Sequence, residues 1–440
     1  MRSRLTFGRL NMNQKRILVL CLSLSLLLLS GCGNAGTSNK DIQEESAGII
    51  STAETGQFPE STHESGTDAV IIESMEDAMK ASSESMETME SVQVPQAAEA
   101  TIIMVGDMLM HTPVNDSGKQ EDGSYNYDHL FANVQSVVQE ADLALVNQEV
   151  IISGRDAGLK GYPRFNSAFE LGDSLVDAGF DVILHATNHA MDMGKEGLLR
   201  CVEFWESTYP EVDVVGIYDA EETAAEICIT EVEGIRIAIL NYTYGTNGIA
   251  LPEDMPYAVD MWDEDAIRAD IASAKEQADF IIVCPHWGKE YVFEEIKKQQ
   301  KWAQFLADEG VDLCIGTHPH VIEPVKWING KDGNEMLVYY SIGNFVNATS
   351  GTASGVAARM LGAMAQITVT MEEGECTIKE YDALPLVAHV EKGGPVTTYF
   401  LKDYTEELAA KHYMTKVDPD NFSLQYLHEL FDRVIGDLNP

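Results

Sequence analysis

Six short polar motifs between residues 101 and 345 carry side chains that can bind metal ions. Each follows an apolar run of the kind that forms a β-strand. Because ligands collect at the carboxyl ends of the strands in an open α/β sheet, the series predicts a metal centre of hydrolytic type at that edge. In chain order the motifs are Gly106-Asp107 with His111, Asn147-Gln148-Glu149, Asn188-His189 with Asp192, His286-Trp287-Gly288 with Glu290, His318-Pro319-His320, and Gly343-Asn344.

Two of the candidate metal ligands are carboxylates, which hard and borderline cations prefer as ligands. Asp107 follows an apolar run and a glycine that permits a tight turn, and Glu149 follows the next run. Carboxylates from two strand ends can share the bridging position between paired metals. The alternatives are an ordinary turn at Asp107 and a solvated acid at Glu149. His111 is either a surface histidine or a residue that supports the site.

Asn188 and His189 can have different roles, one in metal binding and the other in catalysis. The amide oxygen of Asn188 can bind a metal while the adjacent imidazole of His189 faces the substrate. Asp192, three residues after His189, can fix the tautomer of that imidazole and raise its basicity. Asp192 can also cap the helix that follows, and the two roles are compatible.

Three further histidines complete the candidate ligand set. His286 stands at another strand end, and we expect its neighbour Trp287 to pack in the core. Only Pro319 separates His318 from His320. In an extended segment both histidine side chains therefore point the same way and reach one dinuclear centre. The donors are oxygen and nitrogen without thiolate, which favours two divalent ions of Mn, Fe, Zn or Mg.

The elements that position these motifs alternate between strands and helices. This alternation predicts one large α/β domain with a buried sheet. After it, a hairpin is predicted at residues 366–371 and 376–381, and two closing amphipathic helices at 404–412 and 424–438. Apolar, β-branched runs predict strands at residues 101–105, 143–146, 181–184, 235–240, 280–284, 311–315 and 337–341, with helices at 195–207, 263–278 and 294–308 among them.

The N-terminal residues predict export. Basic residues without an acid precede an apolar run at 17–30, which is too short to span a bilayer comfortably and is typical of a signal peptide. Leu29-Ser30-Gly31-Cys32 resembles the bacterial lipobox, which implies cleavage before Cys32 and a lipid on its thiol. An uncleaved anchor is the alternative. Both place the remaining chain at the cell membrane, on its extracytoplasmic face.

After the predicted signal peptide, an acidic segment differs in composition from the rest of the chain. Residues 40–99 hold fourteen acids and two lysines, which predicts a disordered acidic tether. The predicted domains are a signal peptide at 1–31, the tether at 32–99, the metal-binding α/β domain at 100–350, and a C-terminal hairpin with helices that pack on it at 351–440.

Charge and cysteine content limit the partners and the redox chemistry. The formal net charge is −42, and it becomes −47 if the five basic residues of the leader are removed. This balance argues against nucleic acid as a partner, because its binding requires Lys and Arg on phosphates. The cysteines after Cys32 are odd in number and lack a CxxC pair, so we expect free thiols rather than disulfides.

The motif series resembles the signature of the CapA family of bacterial capsule-synthesis proteins. That family belongs with the calcineurin-like metallophosphatases, so the resemblance implies a four-layer αββα sandwich. It extends over about residues 101–345. The segments that carry it are VGDMLMH, NQEV, TNHAMDMGKEGL, HWGKEY, GTHPHVIEPV and YSIGNF.

The resemblance also implies a role for each matching residue. Asp107 would bind the first metal, Glu149 would bridge, and Asn188 would bind the second metal. His286, His318 and His320 would complete the coordination. His189 would be the general acid or charge stabiliser beside the leaving group, Asp192 and Glu290 would orient ligands, and Asn344 would line the site.

This chain departs from the wider metallophosphatase pattern at two positions. Leu109 stands where the usual Asp-x-His has its histidine, and Glu149 replaces the more usual bridging aspartate. His111, two residues further on, is the candidate to fill the vacancy.

Two functions follow from these features. The first is a membrane-anchored, dinuclear metal-dependent hydrolase of phosphoester or related bonds, acting in the synthesis or export of a capsule of poly-γ-glutamate or polysaccharide. The second is a non-catalytic assembly or binding factor for a membrane capsule synthase. The expected partners are the envelope polymer, components of the synthase, and the membrane itself through the lipid anchor.

Overall fold

The computed structural model describes residues 97–349 and 355–438. The predicted signal peptide, the lipidated Cys32 and nearly all of the predicted tether lie outside these residues. None of the described helices has the length and apolar character that crossing a membrane requires.

Two β-sheets organise the described residues. The first sheet has eight strands in the order β14-β13-β12-β1-β2-β3-β4, with β11 paired to β1, and the second has the order β5-β6-β7-β8-β10-β9. Strands β1 to β4 are parallel, as are β6, β7, β8 and β10, so their carboxyl ends share an edge.

The strands of the first sheet are β1 (Ala98–Met108), β2 (Leu143–Asn147), β3 (Val182–Leu184), β4 (Asp213–Val215), β11 (Asn344–Val346), β12 (Leu361–Glu372), β13 (Glu375–Val390) and β14 (Val396–Phe400). Those of the second are β5 (Cys228–Val232), β6 (Ile235–Thr243), β7 (Phe280–His286), β8 (Leu313–Ile315), β9 (Val325–Asn329) and β10 (Glu335–Tyr339).

The helices are α1 (Thr112–Ser117), α2 (Gln135–Glu140), α3 (Phe169–Ala178), α4 (Gly194–Thr208), α5 (Glu221–Ala224), α6 (Glu264–Gln277), α7 (Lys297–Asp308), α8 (Glu406–Lys411), α9 (Met414–Val417) and α10 (Leu424–Val434). Short 3₁₀ helices occur at Asp128–Leu130, Arg155–Ala157, Lys331–Gly333, Val356–Met360 and Leu401–Asp403.

Successive side chains of the buried strands face opposite sides of their sheet, and this alternation produces the layers of the sandwich. On β7, Ile282 packs with Met104 of β1 in the core between the sheets, while Ile281 packs on the other side with Ile267 of α6. The residue before Met104, Ile103, is fully buried as well, so both faces of the first sheet are covered. The predicted α/β sandwich is therefore confirmed.

The predicted strands and hairpin are present, with local differences. β1 begins at Ala98, which pairs with Met371, so two residues assigned to the tether belong to the sheet. The hairpin is β12–β13, and it extends the first sheet beside β1 rather than only packing on a completed domain. The domain boundaries themselves stay predictions. The cysteines at 201, 228, 284, 314 and 376 are free.

Candidate metal centre

The strand registers bring the motifs to one place. Asp107 of β1 is level with Asn147 of β2 and with Asn344 of β11, so three polar residues meet at the end of the first sheet. His286 ends β7 of the second sheet and bridges to Thr317. The candidate site therefore lies at the carboxyl ends of the parallel strands, with residues from both sheets.

Glu149 lies at the centre of this cluster, two residues beyond β2. Its side chain is fully buried, and neither carboxylate oxygen has a hydrogen-bond partner among the described residues. Three imidazoles surround it: His286 Nε2 at 3.6 Å and His189 Nε2 at 3.9 Å from Oε1, and His320 Nδ1 at 3.8 Å from Oε2. These separations exceed hydrogen-bond distance, and a buried carboxylate left this way is energetically costly.

Asp107, which is also fully buried, differs because its oxygens are occupied. Oδ1 accepts a hydrogen bond from Asn147 Nδ2 at 2.8 Å, and Oδ2 accepts from the His318 backbone N–H at 3.2 Å. Oδ2 also lies 3.1 Å from His320 Nδ1. Asp107 thus ties the end of β1 to the loop that carries two of the histidines.

His286 and Asn188 form a pair on the Oε1 side of Glu149. His286 Nε2 is 3.0 Å from Asn188 Oδ1, and its Nδ1 is 3.0 Å from the hydroxyl of Thr317. The hydroxyl contact sets the ring orientation, so Nε2 points toward Glu149. The arrangement offers an imidazole nitrogen and an amide oxygen to the same small volume.

His318 and His320 approach the centre by a route different from the predicted one. Their φ values are 98° and 58°, so the segment is not extended, and that expectation was wrong. Positive φ is unfavourable for residues with a side chain, and here the Asp107 contact to the His318 N–H and a 2.8 Å bond from Tyr291 N to Pro319 O hold the turn. Both rings still reach the site, with centroids 5.7 Å apart.

Asn344 holds His320 rather than facing open space. Its Oδ1 is 3.1 Å from His320 Nδ1, and its Nδ2 donates to the His320 carbonyl at 3.1 Å. The Asn344 amide therefore positions both the ring and the backbone of this histidine.

His189 and Asp192 form a buried hydrogen-bonded pair. Asp192 Oδ2 is 2.7 Å from His189 Nδ1 and also accepts from the Phe165 N–H at 2.6 Å. The side chain of Asp192 makes no cap bond to α4, whose N-cap is Met193, so the alternative of a helix cap is not realised. With Nδ1 engaged, Nε2 of His189 is the nitrogen directed at Glu149.

Protonation follows from burial and from the neighbouring charges. Burial raises the pKa of the Glu149 carboxyl well above its ordinary value, and burial lowers the pKa of His286 and His318 well below theirs. Burial opposes protonation of His320 too, but the carboxylates of Glu149 and Asp107 outweigh it and raise the pKa of His320 to about 9. The centre therefore holds protons that a bound cation would displace.

His111 and Glu290 lie at the periphery. The His111 ring packs edge-on against Phe165 at 5.4 Å, and burial, followed by the charge of His320, lowers its pKa to about 4. Glu290 is exposed and hydrogen-bonds to Tyr291, and its charge reaches Glu149 and His320 through space. Leu109, at the position of the missing histidine, is buried, and its N–H donates to Val346 O at 3.0 Å.

Sequence reasoning missed several residues at the site. Asn147 holds Asp107, Asn247 lies 3.4 Å from His189 Nδ1, and the Tyr244 ring packs 4.7 Å from that of His318. Asn147 sits inside a motif that was singled out for Glu149. Tyr244 and Asn247 lie in a loop after β6 without a ligand pattern, so no sequence signal pointed to them.

The residues present fit a divalent cation. Glu149, His318 and His320 each place a ligand atom within 4.8 Å of the others, and Asp107, Asn188 and His286 adjoin them. One unpaired oxygen of Glu149 faces His286 and His189, and the other faces His320, so this carboxylate would hold a cation at the centre of the cluster. A divalent ion held here would supply Lewis acidity and a bound water of lowered pKa.

Comparison with known proteins gives relatives of one kind. The PGA biosynthesis protein CapA of Bacillus subtilis (strain 168) is 30% identical over 250 residues, which are 55% of this chain and 62% of that protein. The capsule biosynthesis protein CapA of Bacillus anthracis is 28% identical over 257 residues, 56% of this chain and 59% of that one. The chain thus spans about three fifths of the length of these curated relatives.

Solved structures have lower sequence identity to this chain than these relatives have. A 5′-nucleotidase precursor from Thermus thermophilus has a TM-score of 0.40 and 14% identity, over 66% of this chain and 54% of that one. The calcineurin-like phosphoesterase YfkN from Bacillus subtilis has a TM-score of 0.38 and 14% identity, over 76% and 100%. Likeness at this level carries no conclusion about chemistry or substrate.

The family assignment comes from the match that spans the metal centre. The family described as bacterial capsule synthesis protein PGA_cap matches residues 101–349, which include every candidate ligand described above. This match covers more than half of the 440 residues, and the resemblance to CapA proteins is confirmed. The chain belongs to the bacterial capsule synthesis protein family PGA_cap.

Proposed function

We propose that this protein is a metal-dependent hydrolase of a phosphoester or related bond in a capsule or other envelope polymer. The observation that carries the proposal is the fully buried Glu149 carboxylate, unpaired and enclosed by three imidazoles. An oxygen and nitrogen ligand set of this kind is typical of hydrolytic metal sites. The capsule biosynthesis names of the two relatives support a polymer as substrate.

His189 would handle the proton of the leaving group. Asp192 and Asn247 occupy its Nδ1 side, so Nε2 is free to deliver a proton to an oxygen bound over Glu149. Asp192 would also stabilise the imidazolium in its charged form. General acid catalysis of this kind contributes typically about 10²–10⁴-fold to the rate.

The same proposal places the protein at the membrane. Cys32 would carry the lipid, the acidic residues that follow would form a tether, and the metal centre would act on the extracytoplasmic face. The membrane, the polymer and components of a capsule synthase are its proposed partners. The support is the leader and lipobox-like sequence together with the family membership.

Substitution of His189 tests the catalytic assignment. The full-length chain in detergent, reconstituted with Mn²⁺, is assayed for hydrolysis of bis(p-nitrophenyl) phosphate, and bound metal is measured by elemental mass spectrometry. We expect His189→Ala to lower kcat at least about 100-fold while bound metal stays unchanged. His428→Ala, in an exposed position on α10, is the matched control. Undiminished turnover in His189→Ala would remove His189 from the mechanism.

A second candidate function is a non-catalytic assembly factor for a membrane capsule synthase. Leu109 favours it, because a buried leucine replaces a histidine ligand of the wider pattern and weakens the first metal position. A His318→Ala/His320→Ala variant separates the two functions. If cells that carry it still make polymer at the normal rate, hydrolysis is dispensable and the assembly role stands.

A further inference from the structure

Arg359 is anchored beside the metal centre by its own backbone. It lies in the 3₁₀ helix Val356–Met360, just before β12. Its carbonyl accepts a hydrogen bond from Asn344 Nδ2 at 2.9 Å, and the Oδ1 of the same amide is 3.1 Å from His320 Nδ1. One side chain therefore separates the Arg359 backbone from a candidate metal ligand.

The side chain of Arg359 stacks on Tyr291, which lies next to one of the candidate ligands. Its Cζ lies 3.5 Å from the centroid of the Tyr291 ring, and that ring is 6.0 Å from the His320 ring. Tyr291 is 43% exposed, so solvent reaches this ring. The backbone of Tyr291 has φ 65° and is held by the bond to Pro319 O, which fixes the ring next to the His318-Pro319-His320 turn.

The guanidinium has no acidic partner among residues 97–349 and 355–438. Nη1 donates to the Thr349 hydroxyl at 3.4 Å, and Nε is buried without a hydrogen-bond partner there. Among the described arginines, Arg155, Arg236 and Arg268 each form an ion pair, whereas Arg164, Arg200 and Arg433, like Arg359, form none. What distinguishes Arg359 is its position, because it stacks on the tyrosine beside His320.

Stacking leaves the donors of a guanidinium available at its edge. Arginine on an aromatic face keeps a planar fork that matches carboxylate and phosphate in bidentate fashion. The ring also limits the motion of the side chain, so less entropy is lost when an anion binds. A group bound at this edge would sit beside, not on, the Glu149 cluster.

We propose that Arg359, stacked on Tyr291, binds a negatively charged substituent of the substrate next to the bond that is cleaved. The substrate is then a polyanionic chain, with either a phosphate or a carboxylate adjacent to the reacting group. This specificity role rests on the hydrolytic function proposed above. It also explains how a strongly acidic protein admits an acidic polymer at one point.

A matched pair of substrates tests the proposal. Thymidine 5′-(p-nitrophenyl phosphate) and its 3′-phosphorylated form differ by one anionic group, and both release p-nitrophenol. For the Mn²⁺-loaded full-length chain we expect kcat/KM to favour the 3′-phosphorylated form at least about tenfold. Arg359→Met should abolish the preference, and Arg359→Lys should retain part of it. Arg433→Met, which removes another arginine stacked on an aromatic ring, Phe293, is the control.

Absence of preference in the wild type, or a preference that persists in Arg359→Met, overturns the proposal. A readout that needs no turnover separates this failure from failure of the hydrolytic function. Phenylglyoxal labelling of Arg359 is followed by peptide mass spectrometry, with and without inorganic phosphate or glutarate. Protection by either anion supports the site and identifies the favoured chemistry, and an unchanged labelling rate with both overturns it. If neither ester is hydrolysed, the hydrolase proposal fails and the labelling result alone decides the role of Arg359.

Discussion

At the scale of single residues, the site combines one unpaired carboxylate with surrounding candidate ligands whose orientations are fixed by hydrogen bonds. Asp107, Asn188 and His286 all have partners, whereas Glu149 has none among the described residues. Removing a charge from water without a compensating hydrogen bond destabilises the folded state. The protein therefore tolerates a local cost at the position where a cation would bind.

Glu149→Gln should separate stability from metal binding. The amide keeps the shape of the side chain and avoids both a buried charge and the unfavourable proton uptake that the raised pKa of Glu149 implies. The metal-free variant should therefore be more stable than the metal-free wild type by about 1–3 kcal/mol. Bound Mn²⁺ should fall at the same time. Urea unfolding in EDTA and elemental mass spectrometry measure the two effects. Glu140→Gln, at an exposed position, is the control, and a loss of metal-free stability in Glu149→Gln would contradict this account.

At the scale of elements, three backbone segments cross closely beneath Asp107. A Cβ on Gly106 of β1 would lie 2.0 Å from the carbonyl oxygen of Gly343, which accepts the Asp107 N–H at 3.0 Å. A Cβ on Gly362 of β12 would lie 2.0 Å from the carbonyl oxygen of Asn344. Glycine lets β1, β11 and β12 approach in this way, and the approach aims Asp107 and Asn344 at the same histidine.

Gly106→Ala should disturb the metal centre through the backbone. The methyl group must displace the β11 segment or the end of β1, so we expect a loss of about 1–3 kcal/mol of stability and weaker Mn²⁺ binding. Gly245→Ala is the matched control, since a Cβ at that position would have no atom within 4 Å among the described residues. Thermal denaturation and Mn²⁺ titration provide the measurements. Equal effects of the two substitutions would show that the close approach is unimportant.

The sequence predicted the strands well but did not predict the backbone conformation around two of the candidate ligands. Buried parallel strands such as β7 are continuous apolar runs, so their positions and the polar residues at their ends were readable. The turn at His318 and His320 was not, because its positive φ values depend on contacts with Asp107 and Tyr291, which are remote or follow no local pattern. Arg359 was missed for a similar reason: Asn344 and Tyr291 bring it to the site, and neither contact leaves a periodic signal.

At the scale of the whole molecule, stability depends on histidines that are buried as neutral rings. His185 lies beneath α4 near Trp205, and His412 lies beside α9, where its Nδ1 accepts the Met414 N–H at 3.0 Å. Burial lowers the pKa of each from 6.5 to about 3. Below pH 6.5 the unfolded chain therefore binds more protons than the folded protein, so the free energy of unfolding decreases, and stability is lost, as the pH falls from 6.5 toward 3.

His412→Gln should flatten this acid dependence. Each such histidine contributes a slope of about 1.4 kcal/mol per pH unit in that window, and glutamine contributes none. Urea unfolding of the metal-free protein at pH 7, 6 and 5 measures the slope, with the exposed His428→Gln as control. Identical slopes for wild type and His412→Gln would refute the assignment.

The ligand set is assembled from both sheets, which has a consequence for how a metal is acquired. Asp107 and Glu149 come from the first sheet and His286, His318 and His320 from the second, so the set exists only once both are docked. Loading of a metal would then be among the last events of maturation. The ion would enter from the pool that surrounds the finished fold, so the compartment in which folding ends, more than intrinsic affinity, would select which metal is bound.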